Sequence, residues 1–116
     1  MMQVHIAHEF AVRLPDGSRL PTEELHREGE RLMDALLDLE ACNSDIGDVA
    51  TSSEADRGAV VVELVIAADD EATAISKSMA VIRSAIHAIE GCTANWGQGP
   101  AARADYHSKG VQAARV

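Results

Sequence analysis

Thirteen residues near the start of the chain alternate without a break. Met2, Val4, Ile6, His8, Phe10, Val12 and Leu14 fall on one parity, and Gln3, His5, Ala7, Glu9, Ala11 and Arg13 on the other. A β-strand turns successive side chains to opposite faces, so this pattern commits the segment to a strand with one buried face. A strand of that length has backbone N–H and C=O groups on both edges, and those groups need partners. The chain therefore has to build a sheet around residues 2–14. Pro15-Asp16-Gly17-Ser18 then ends the strand in a turn, since these residues favour the dihedrals that a reversal needs.

The next segment changes period. Thr22 is read as an N-cap, with Glu23 and Glu24 at the positive end of a helix dipole. Leu25, Leu32, Leu36 and Leu39 recur at helical spacing with Gly29 on their stripe, while Glu23, Glu30, Asp34 and Asp38 mark a solvated face. Residues 42–52 carry Ile46 and Val49 around Gly47, which predicts a short edge strand with a bulge. A turn over 53–58 leads to residues 59–67 (AVVVELVIA), a β-branched run that predicts a central strand. Asp69-Asp70-Glu71 opens a second helix whose apolar stripe is Ala72, Ile75, Met79, Ile82, Ile86 and Ile89. Gly91 reads as the residue that ends it, and Cys92, Ala94 and Trp96 alternate as a last short strand.

The order β-α-β-β-α-β predicts an α+β fold of the ferredoxin-like, split-βαβ kind: a four-stranded antiparallel sheet, strand order 4-1-3-2, with two helices on one face. Residues 1–100 are expected to form that single domain, and residues 101–116 a flexible or loosely docked tail. Aromatics are only 3% of the chain, so its core must be aliphatic.

Charge narrows the partners. The net charge is −9, with 18 acids and 7 bases over residues 1–100. Phosphate backbones repel such a body, and nucleic acid is not an expected partner. No apolar run is long enough for a membrane span, and no signal peptide is read at residues 1–14. The expected location is cytoplasmic.

Chemical signatures are missing from the sequence. It has no Gly-x-Ser-x-Gly, no P-loop and no Gly-x-Gly-x-x-Gly after a strand. His5 and His8 lie at i and i+3, a spacing that points them to opposite faces of a strand, so they cannot share a metal. His8 falls on the core face and is expected buried with a hydrogen-bond partner. His26 and His87 are expected on solvated helix surface. Cys42 and Cys92 fall on opposite sheet edges, too far apart for a disulfide, and are expected to act as small buried hydrophobes. No catalytic residue, metal ligand or cofactor is expected.

What stands out is the face of the sheet opposite the helices. It should show His5, Glu9 and Arg13 from the first strand and Val61, Glu63 and Val65 from the third, together with Ala7, Ala59 and Ala67. That mixture is too apolar for plain surface and too polar for core. The expected function is a non-enzymatic, homodimeric accessory or regulatory module that associates through this face. The alternative is a small cofactor-independent enzyme or small-molecule sensor with a pocket between sheet and helices, where His5, His8 or Glu9 would supply acid–base chemistry.

Overall fold

The computed structural model describes residues 1–89, 91–93 and 104–116, with residues 91–93 as backbone. The elements run β1 (Met2–Arg13), α1 (Thr22–Cys42), β2 (Ile46–Glu54), β3 (Ala59–Ala68), α2 (Glu71–Ala88), β4 (Gly91–Thr93) and β5 (Ala104–Arg115). The architecture is α+β. Four long strands form an open antiparallel sheet in the order β2-β3-β1-β5, and the three-residue β4 pairs in parallel outside β5.

Parity decides what is buried. Val4, Ile6, His8, Phe10 and Val12 of β1 and Val60, Val62, Leu64 and Ile66 of β3 point to the helical side and are fully buried. Leu25, Leu32 and Leu36 of α1 and Ala74, Ile82, Ala85 and Ile86 of α2 meet them there. Burying each of these large aliphatic side chains contributes roughly 1.5–3 kcal/mol. Asp70 caps α2, its carboxylate accepting from the Thr73 N–H at 2.6 Å. The capping position of α1 is Pro21 rather than Thr22, and no side chain bonds there.

Three expectations are corrected. The place beside β1 is taken by residues 104–115, not by 92–96. β5 pairs with β1 from Val4↔Arg115 to Arg13↔Asp105, so this segment is an integral strand rather than a flexible or loosely docked tail. The reason is length: a five-residue strand would leave most of the β1 edge without hydrogen bonds. Only Gly91–Thr93 are seen as the strand expected before it, and Ala94 and Trp96 lie outside the described residues. Secondly, Cys42 is the last residue of α1 rather than the first of β2, and its free thiol is exposed. Helical periodicity carries α1 one turn further than the apolar stripe does. Thirdly, the core has two aromatic members among the described residues, with Tyr106 edge-on to Phe10 at 5.9 Å.

Other readings hold. β2 is an edge strand, and its register breaks between Gly47 and Ala50. Asp48, inside that break, takes a φ of 51°, a conformation that short polar residues tolerate.

Candidate functional site: the open face of the sheet

Neither α1 nor α2 covers the second face of the sheet. β1 contributes Gln3, His5, Ala7 and Glu9; β3 contributes Val61, Glu63, Val65 and Ala67, registered as His5↔Val65, Ala7↔Glu63 and Glu9↔Val61. The register thus brings five of the six residues singled out from the sequence together. Val61 and Val65 are half-buried, because neighbouring strands shield their flanks and nothing described lies over their tips.

Polar side chains of the face pair with one another. His5 Nε2 lies 3.3 Å from Glu63 Oε1, with both side chains 43% exposed. Arg57, in the turn between β2 and β3, reaches Glu9 at 3.2 Å and Glu54 at 3.9 Å. Cross-strand pairs of this kind stabilise a sheet by a few tenths of a kcal/mol to about 1 kcal/mol each. Counted over the face, Glu9, Glu54, Glu63 and Asp105 stand against Arg57 and Lys109, and Asp48 borders it beside Val65 and Ala67. The face mixes both signs, whereas α1 alone holds seven acids and two bases.

Arg13 departs from the expected arrangement. Its guanidinium donates to the Val12 and Gly58 carbonyls, each at 2.9 Å, and so locks the β2–β3 turn instead of presenting charge to the face. Gly58 has a φ of 60°, and a Cβ there would meet Arg13 Nη1 at 2.7 Å. Ala11 and Ala59, opposite each other beside this turn, are buried.

A depression of about 350 Å³ opens on the face where β1 meets β5, lined by Ala7, Glu9, Val61, Lys109, Gly110 and Gln112. It arises from the register break between Glu9 and Phe10, opposite Lys109. Lys109, Gln112 and Arg57 are contributors that the sequence reading left out. Arg57 falls in the turn over 53–58, and the other two in the segment expected to be a tail.

The interior has polar chemistry of its own. His8 is 1% exposed, stacks on Phe10 with ring centroids 4.3 Å apart, and has Nε2 2.7 Å from Ser108 Oγ. Burial lowers its pKa from 6.5 to about 4, so His8 is neutral at pH 7. On α1, Glu28 is likewise buried; it accepts from the Tyr106 hydroxyl at 2.9 Å and lies 3.3 Å from Arg31. Glu28 has the helical spacing of the leucine stripe, and its type hid it. His26 remains on the surface as expected, 67% exposed, 2.9 Å from Glu30 and 3.5 Å from Ser53 Oγ.

Among the described residues no group of three or more His, Cys, Asp or Glu side chains is placed to hold a metal ion. None of the described helices is long and apolar enough to cross a membrane. No protein-family model, curated protein or solved structure matches the chain.

Proposed function

We propose that the chain is a cytoplasmic, non-enzymatic accessory module that works as a homodimer, two copies meeting through their open sheet faces. The observation that carries this reading is the contrast in charge and polarity just described. Val61 and Val65 sit in the middle of a face that mixes both signs, on a strongly acidic molecule. A two-fold axis matches each patch with itself, so a self-pairing surface must carry both signs or neither. The face meets that condition, and the acidic surface of α1 does not.

Size agrees. Four strands about 4.8 Å apart and about 8 residues long offer roughly 500 Å² per copy, or on the order of 1,000 Å² for two. That is near the lower limit for a specific interface, so the dimer should be one of modest affinity. In the same reading, β1, α1, β2, β3, α2 and β5 follow the split-βαβ plan of ferredoxin-like domains, with β4 as an addition at the edge.

Light scattering over a concentration series tests the reading. The native chain should approach twice 12.3 kDa as concentration rises. Val61→Glu combined with Val65→Glu should return it to the monomer mass with its circular dichroism unchanged. A mass that the double variant leaves untouched, or a native monomer at every concentration, removes the proposal.

A further inference from the structure

The sheet has two edges, and they are built differently. β2 is disrupted by a register break and a positive φ at Asp48, and it carries the acids Asp48 and Glu54. Such features keep an edge from pairing with a further strand. On the other side, β4 covers β5 only at Ala104, Asp105 and Tyr106. From His107 to Arg115 the outer edge of β5 has no strand beside it among the described residues, and no proline interrupts it.

Its hydrogen-bonding groups can be assigned. The Val116 N–H donates to the Gln3 carbonyl at 2.9 Å, which turns Val116, Ala114 and Gln112 toward β1. Alternation then turns the N–H and C=O of Arg115, Ala113 and Val111 outward.

Two further observations bear on what would pair there. Among the described residues four large hydrophobics are exposed, and two of them belong to this strand and the residue after it: Val111 at 41% and Val116 at 79%. Residues 107–116 also carry Lys109 and Arg115 and no acid. Among the described residues neither forms an ion pair.

We propose that the outer edge of β5 captures an extended segment of a partner protein as an added strand, the segment combining apolar residues with acidic ones. The outward groups of Val111, Ala113 and Arg115 give the backbone bonds. Val111 and Val116 give apolar contact, and Lys109 and Arg115 select for carboxylates. A second copy of the chain fits less well, because it would bring the same two cations to the same edge. The edge adjoins the open face and shares Lys109 and Val111 with the depression there, while its backbone groups at Val111, Ala113 and Arg115 point away from β1.

Fluorescence polarisation with a labelled peptide of alternating Glu and Val tests the site. Saturable binding is expected, weaker by at least about tenfold for the Lys and Val counterpart and abolished when alternate amides of the Glu–Val peptide are N-methylated. Amide shifts should centre on Val111, Ala113 and Arg115 rather than on β2. Val111→Pro removes an outward N–H without touching a bond to β1, so it should weaken binding by at least about tenfold with the fold intact. No saturable binding, binding that survives N-methylation, or shifts on β2 would overturn the proposal. So would a peptide-free dimer that Val111→Pro dissociates while the Val61 and Val65 double variant does not, since the edge would then belong to a second copy.

Discussion

His5 and His8 stand three residues apart on β1 and face opposite sides of the sheet. His5 sits half-exposed beside Glu63, in reach of water. His8 is packed on Phe10 and bonded to Ser108, and desolvation takes its pKa to about 4. One strand thus holds two environments that differ by parity alone. On the helical side, an apolar neighbour fixes what a polar group can do. On the open side, polar groups settle with one another and leave a surface that a partner can cover. The comparison can be broken at several points.

The largest effect should come from truncation on the helical side. Phe10 is 1% exposed and contacts both His8 and Tyr106. Phe10→Ala should destabilise the fold by about 3–5 kcal/mol, read from urea denaturation. Val61→Ala, on the open face of the neighbouring strand, should cost less than about 1 kcal/mol in the monomer. Equal losses would mean that the open face is as tightly packed as the core.

Acid should act on one side of the sheet as well. His8 has a folded-state pKa near 4 against 6.5 in an unfolded chain. Between those values the unfolded state binds the extra proton. Stability from neutral His8 is therefore complete above about pH 6.5 and falls as pH drops toward 4. The full difference is on the order of 3 kcal/mol. His8→Phe should flatten the dependence of unfolding free energy on pH across this window. A variant with the native slope would assign the effect to other groups.

This half of the molecule is also where the sequence is least transparent. β1 and both helices are legible because their apolar residues keep a strict period, β3 because it is a nearly unbroken β-branched run, and five of the six face residues follow from strand parity. β5 is not legible in that way. Ala104, Ser108, Gly110 and Ala113 are small and lend a strand pattern little weight, and only Tyr106 announces a buried position. The usable signal lay in β1 instead: a strand of that length, central in the sheet, requires a second partner of similar length. Glu28 was hidden for a different reason. A carboxylate on an apolar stripe reads as an interruption until a donor such as Tyr106 is placed opposite it. The partner came from the segment taken as tail, so both misreadings have one origin.

That pair gives the next test. Tyr106→Phe keeps the ring against Phe10 and removes the hydroxyl that donates to buried Glu28. Leaving a buried acceptor short of a donor should cost about 1–3 kcal/mol. Adding Glu28→Gln should recover part of that loss, because a neutral amide is less costly to bury than a carboxylate. Independent, additive losses in the double-mutant cycle would show that the two side chains are not coupled.

The smallest effect belongs to the matching pair on the open face. Glu63→Gln removes the carboxylate beside His5, but both side chains are 43% exposed, and water replaces what is lost. The change in monomer stability should stay within about 0.5 kcal/mol and shrink further in high salt. In the dimer the same substitution acts on a covered pair, where screening is weaker and a polar group left without its partner costs more. Comparing the effect of Glu63→Gln on unfolding at low concentration with its effect on the dimer dissociation constant therefore measures how dry the interface is. A variant as silent in association as in folding would place the contact surface away from His5 and Glu63, toward the depression lined by Glu9, Val61 and Lys109.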